Sequence, residues 1–268
     1  MKGIATTAAL VAFASLTLSA QRASRPSAPP APAATTPPPR VERQVPFKVG
    51  ETLTYDVSWS SYLTAGTASI AVKEKKPSYS STAYYIVAEG RPTPLLAKLY
   101  TLYYKLDTLL DSYTLLPQRG SVYSEEGKRH RYKTTQFDRA ARKVAFEYQA
   151  DTTVKSNFAT SPVTQDALSA IYVLRAIPLK AGDRMTMPVS DNGVNYKVQV
   201  DVVGQEHVRT PLGEQAGWKL KLTVSDDKNA AVGRNVAIWI GEDERHLPLK
   251  LQAELPVGSF NLTLRSAS

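Results

Sequence analysis

At 268 residues and 43% apolar composition, the chain is long enough for one large β domain or two smaller ones, and a core of this size excludes disorder throughout. It contains no cysteine, which excludes disulfides, thiolate metal sites and acylation as a lipoprotein. The formal net charge of +9 favours acidic polymers or anionic surfaces as a general field; its Lys and Arg are scattered, so nucleic acid is not expected as a partner.

Residues 1–20, MKGIATTAALVAFASLTLSA, place Lys2 ahead of a short apolar run that ends in small residues. This pattern predicts a secretory signal peptide cleaved after Ala20, leaving a soluble periplasmic protein. Residues 21–46 contain eight prolines and almost nothing large and apolar, so they read as a disordered linker of extended, polyproline-like chain. A single β-rich domain is expected over 47–268.

The first strand is marked by Leu53, Tyr55, Val57 and Trp59, apolar at every second position with Thr52, Thr54, Asp56 and Ser58 between them. Ile70 and Val72 mark a second strand, KEKKPSYS a polar turn and AYYIVAEG a third strand. Residues 95–111 mix helix formers with tyrosine and threonine, which predicts a short helical piece near 95–99 and a strand over about 101–112. SVYSEE, HRYKTTQF and RKVAFEYQ then alternate with turns, and their charges require water on one face of the sheet.

One helix is expected, over 162–177. Ser161-Pro162 fits an N-cap followed by proline at the first helical position. Val163, Ala167, Ile171 and Leu174 form an apolar stripe widened by Leu168. After it come RMTMPV, the turn Ser190-Asp191-Asn192-Gly193, NYKVQVDVV, a turn or β excursion around 206–213, GWKLKLTV, NVAIWI, LPLKLQAEL and FNLTL. These elements predict a mainly β fold of antiparallel curved sheets, either an open barrel or a two-layer sandwich, with the helix packed on one side.

No motif discloses a reaction. His130, His207 and His246 have no metal-ligand spacing, G-x-S-x-G is absent, and no phosphate loop or dinucleotide fingerprint occurs, so neither a metal nor a cofactor is expected. Glycoside hydrolysis needs two carboxylates in one cleft; Asp107 and Asp111 are four apart and share a face of a regular strand, where Asp56, Glu147, Asp243 and Glu254 could join them in space. The charged knot from Glu242 to His246 reads first as the polar bend of a hairpin, with Arg245 free to make a charge-assisted bond. Tyr103, Asp107, Asp111, Trp239, Asp243 and Arg245 are the candidate groove or polar cluster.

Several motifs, in order, resemble the domain of unknown function 3108, a family of exported bacterial proteins. They are Gly50-Glu51 with Leu53-Thr54-Tyr55 and Trp59, Ala65-Gly66, Phe137-Asp138, and Asp166 with Ser169, Ala170 and Leu174-Arg175. Pro178 to Asp183 follows, then Trp239-Ile240, Asp243 to Pro248 and Gly258. The family form places Arg nearer the proline than this chain does. The resemblance implies a predominantly β protein beyond the inner membrane and supplies no catalytic residues.

Three functions compete at this point. The first is a non-enzymatic envelope protein that binds a lipid or glycan in a sheet groove, for which Tyr84, Tyr85, Tyr103, Tyr104 and Tyr148 offer half-wet side chains. The second is a carboxylate-dependent enzyme acting on polysaccharide. The third is a structural or assembly factor that docks an envelope protein or an anionic surface through a flat patch or sheet edge.

Overall fold

The computed structural model describes residues 40–59, 63–232, 234–255 and 258–268. The expected signal peptide and residues 21–39 of the expected linker lie outside them. The strands are β1 (Thr52–Trp59), β2 (Leu63–Ser78), β3 (Ser81–Pro92), β4 (Leu102–Asp111), β5 (Pro117–Glu126), β6 (Arg129–Asp138), β7 (Lys143–Gln149) and β8 (Thr153–Ala159). After a connection they resume as β9 (Arg184–Asp191), β10 (Val194–Thr210), β11 (Gly213–Asp226), β12 (Arg234–Gly241), β13 (Pro248–Leu255) and β14 (Gly258–Ala267). Two helices accompany them, α1 (Pro94–Leu99) and α2 (Ala167–Ala176). Among the described residues no helix is long and apolar enough to cross a membrane, which leaves strands out of account.

All the strands lie in one antiparallel sheet, in the order β8-β7-β6-β5-β4-β3-β2-β1-β14-β13-β12-β11-β10-β9. Strands β1–β8 and β9–β14 each pair in chain order as a meander, β8 and β9 are the two ends of the sheet, and β1 pairs with β14 at the seam that joins the meanders. The ends of the sheet approach one another without a continuous ladder. Asn195 on β10 donates to the Ala159 carbonyl of β8 at 2.8 Å, and Lys133 on β6 donates to Asn192 at 2.5 Å. The connection after β8 covers the β9 edge through a parallel bridge between Gln165 and Val189. The result is an open, barrel-like sheet rather than a sandwich.

Alternation explains the core. Leu53 and Tyr55, Ile70 and Val72, Tyr84 and Ile86, and Leu264 are buried on the face that meets Leu168 and Tyr172 of α2. Met187, Val189, Val198, Val200, Leu220 and Ile238 form a second cluster with Leu174, against which Ala170 and Ile171 also pack. Because α2 feeds both clusters, its sequence ALSAIYVLRA is apolar almost all round, as a helix enclosed by a sheet must be.

Two boundaries differ from the sequence reading. The helix begins at Ala167 rather than 162, because Asp166 is the N-cap: its side chain accepts from the Ser169 amide at 2.7 Å while Ser169 Oγ accepts from the Asp166 amide at 2.9 Å. Ser161 and Pro162 instead open a turn, with the Thr164 amide donating to the Ser161 carbonyl at 3.2 Å, and Val163 is exposed. Residues 40–46, placed in the linker by composition, already contact the sheet. The Arg43 amide donates to the Ser112 carbonyl at 2.9 Å, Glu42 pairs with Lys75, and Val45 packs on the first core cluster.

The short helix and strand expected over 95–112 are α1 and β4. The excursion expected around 206–213 is the tip of one long hairpin, β10–β11, bulged between Val202 and Gly204. At the β9–β10 turn, Asn192 and Gly193 have φ of 52° and 77°, the two positive values that a tight hairpin turn requires.

Candidate binding site

The charged knot is built around Arg175, in the last turn of α2. Arg175 is wholly buried and forms a bidentate pair with Glu51, Nη1 to Oε1 at 2.6 Å and Nη2 to Oε2 at 2.9 Å. Its Nε donates to the His246 carbonyl and its Nη2 to the Arg245 carbonyl, both at 3.1 Å. His246 Nδ1 lies 2.7 Å from the Arg175 carbonyl, so that nitrogen carries the proton and donates. The guanidinium also sits 5.0 Å from the Tyr172 ring centre and 5.4 Å from that of Phe47. The knot is therefore the anchorage of the helix C-terminus. Four of the guanidinium's five N–H donors go to fixed acceptors.

The six candidate residues fall into separate groups. On β4, Asp107 accepts from Ser121 Oγ and from Arg119 Nη2, the latter at 3.2 Å. Asp111 holds the β4–β5 turn: its Oδ1 accepts from the amides of Tyr113 at 3.0 Å and Thr114 at 2.9 Å, and its Oδ2 from Gln118 at 3.1 Å. Burial works to raise the Asp111 pKa, yet the hydrogen bonds from Thr114 and Tyr113 outweigh it and hold it below the ordinary value. Tyr103 lies under the Arg91 guanidinium, 4.4 Å from ring centre to cation. Burial pushes its hydroxyl up, and the neighbouring Glu89 adds to the shift.

Trp239 is separated from β4 in the sheet by β3, β2, β1, β14 and β13. Its Nε1 donates to Glu206 Oε2 at 2.8 Å, and Lys219 and Lys250 lie 5.3 and 5.0 Å from its ring centre. Asp243 contributes its carbonyl to the His246 amide, and Arg245 Nη2 approaches Glu51 Oε2 at 3.8 Å and donates to the Ser268 carbonyl at 3.3 Å. The tyrosines do not share one groove either. Tyr84 packs in the core edge-on to Phe47, Tyr85 lies under Lys76, and Tyr104 donates to Glu126.

What the sheet and helix do form is a half-open cavity of about 670 Å³ between α2 and the strands of the second meander. Ala170, Ile171 and Leu174 form the helical wall; Val198, Leu222 and Leu262 are part of the sheet wall. The lining is mostly aliphatic, and its polar side chains include Asp191 and Asn192 at the β9–β10 turn. Burial raises the Asp191 pKa, an effect that Lys133 and the Asn192 hydrogen bonds oppose. Such a chamber can exclude water from an alkyl chain and still offer a charged group at one place on its wall. Sequence reasoning missed it. The strand residues concerned were legible as apolar, but nothing local says that the helix leaves space beside them.

A family model described as a protein of unknown function, DUF3108, matches residues 54–265. The chain belongs to the DUF3108 family. Comparison of this DUF3108 chain with curated proteins finds no match. Among solved structures it is similar to a beta-barrel-like protein of the domain of unknown function DUF1849 from Brucella abortus. That likeness has 11% identity and a TM-score of 0.51, covering 81% of this chain and 96% of the other. A protein with a YmcC-like fold from Bacteroides fragilis NCTC 9343 is 13% identical, with 85% and 100% covered and a TM-score of 0.34, too loose an overlap to bear on the architecture. The Brucella likeness supports the barrel-like fold of this DUF3108 chain and says nothing of its ligand.

Proposed function

We propose that this DUF3108 chain is a non-enzymatic, exported binding protein of the periplasm that holds a lipid-like amphiphile, with the alkyl part in the cavity beside α2. One observation carries the reading, the mostly aliphatic chamber of about 670 Å³, which lies within the roughly 300–1,000 Å³ of small-molecule pockets. Each methylene moved into it from water contributes about 0.8 kcal/mol, so a chain of ten carbons contributes about 8 kcal/mol against the cost of immobilising the molecule. The export part of the reading rests on the Lys2-led apolar run of residues 1–20. A saccharide fits the aliphatic lining less well, because its hydroxyls would find few partners there.

The test is native mass spectrometry of the mature protein, purified after gentle extraction from its own envelope. Retention of one amphiphile per chain is expected. A bare mass, together with no rise in melting temperature when a medium-chain fatty acid or alkyl maltoside is added, would sink the proposal.

A second reading, an assembly factor that adds a partner's strand, has one observation in its favour. The end strand β8 is exposed along almost its whole length, and among the described residues it pairs only with β7.

A further inference from the structure

The amphiphile reading leaves open what kind of head group the cavity accepts, and the β9–β10 turn carries a second feature that bears on it. Beside the large cavity lies a chamber of about 20 Å³ that shares Ala167, Asp191 and Asn192 with it. Its wall also includes Asp166, Ser190, Gly120, Thr135 and Lys133. A void of this size holds about one water-sized group. It is too small for a sugar ring or a trimethylated nitrogen.

The chamber's polar groups are incompletely matched. Ser190 is 1% exposed and its Oγ has no hydrogen-bond partner among the described residues. Asp166 accepts from Thr108 Oγ1 at 2.6 Å and from the Ser169 amide at 2.7 Å, and Asp191 accepts from Asn192 Nδ2 at 2.6 Å. All of those donors are neutral. No ion pair among the described residues includes either carboxylate, and Lys133, the cation on the chamber wall, gives its recorded hydrogen bond to Asn192 Oδ1. Asp107, the third carboxylate on this wall, is paired with Arg119, and Arg139 acts on Asp166 through space, which leaves Asp191 without an ion-pair partner among the described residues. The positive end of α2 offsets part of the charge of Asp166, which caps it, and the uncompensated charge is that of Asp191.

Resting on the amphiphile reading, we infer that the bound molecule carries a primary ammonium group, seated in the small chamber against Asp191, Asp166 and the Ser190 hydroxyl. A primary ammonium is water-sized, gives Asp191 a charged partner and offers three donors to three acceptors. Asp191 supplies the charge at the junction with the alkyl cavity, and Ser190 Oγ gains the partner it lacks. The raised pKa values of Asp166 and Asp191, each due first to burial, fit a site completed by a cation. Gly120 belongs to the same construction. A Cβ there would come within 3.0 Å of Asp166 Oδ2, so a side chain on β5 would displace the carboxylate.

The experiment compares three probes with the same twelve-carbon chain, dodecylammonium, dodecyltrimethylammonium and dodecyl maltoside, by isothermal titration below their micellar concentrations on the mature full-length protein. Dodecylammonium is expected to bind about tenfold or more tightly than either of the others, the scale of one charged hydrogen bond. In Asp191→Asn that advantage shrinks to about twofold or less; Ser190→Ala, a change that removes no charge, lowers it by severalfold and serves if Asp191→Asn fails to fold. Equal affinity for the three probes overturns the ammonium inference and leaves the binding reading standing. Failure of all three to bind overturns both. A preference for dodecyltrimethylammonium over dodecylammonium would show that charge alone is read from outside and overturns the seating in the small chamber.

Discussion

Arg175 shows how a single side chain settles a question that local sequence leaves open. The bend from Glu242 to His246 is dense in charge, yet it reaches Arg175 itself only through two carbonyl oxygens and a histidine N–H, with Arg245 standing 3.8 Å from Glu51. The charges that matter there are Arg175 and Glu51, 124 positions apart. Arg175→Met should cost about 3–5 kcal/mol, because it strands the Glu51 carboxylate in the interior. The double change Glu51→Leu with Arg175→Met should cost clearly less than that, since apolar groups of similar volume can replace a buried pair. Urea unfolding of the three proteins checks this. A single-variant loss below about 1 kcal/mol would mean the pair is solvated. Both residues stood out as parts of motifs, Gly50-Glu51 and Leu174-Arg175, but their partnership was not legible. Motif spacing carries no information on contacts between distant segments.

At the scale of elements, period-two alternation made the strands easy to read, and a tight turn such as Asn192-Gly193 declares itself by residue type. The helix start was not legible from 161–166. Ser161-Pro162 has the composition of a cap, but Gln165 is taken up by the β9 edge, and the chain turns helical only after Asp166. Asp166 is buried and its pKa is raised, first by burial, so its ionised form is disfavoured in the fold. Its contribution to stability is therefore full below the ordinary carboxylate value of 3.8 and is lost as pH rises through the folded-state value. Asp166→Asn keeps a capping oxygen without the charge. The stability of the native chain relative to this variant should accordingly fall as pH climbs from about 4 to about 7, and urea midpoints across that range measure it. A relative stability that rises instead would show the carboxylate to be stabilised as an anion. Asp191 is shifted in the same direction, so the variant retains a slope of the same sign.

For the molecule as a whole, the balance between α2 and the sheet decides whether there is a site at all. The sheet wraps the helix, yet the second meander stands far enough from it to leave about 670 Å³. Ala170 faces that space, and Ala170→Phe should fill part of it at a cost within about 1–3 kcal/mol, or with a gain if the ring meets only void. The variant should lose the retained amphiphile while keeping its circular dichroism spectrum; unchanged retention would place the ligand elsewhere. An enzyme or assembly role makes no such demand on Ala170. The candidate residues Asp107 and Asp111, in contrast, are engaged in a strand pair and a turn, and changing them should first affect the β4–β5 hairpin.

The seam between β1 and β14 has a consequence for how the protein comes to be. Its register runs from Leu53 opposite Ala267 to Trp59 opposite Phe260, so the first strand of the domain waits for the last. Hairpins on either side close over short loops, but this pairing closes a loop of nearly the whole domain and carries the entropy of doing so. A chain still emerging from a ribosome or a translocation pore can complete each meander and yet cannot join them. Until its final ten-residue strand arrives, it presents β1 as a raw edge, open to any other extended chain nearby. The strand β14 thus decides whether two separate meanders become one sheet.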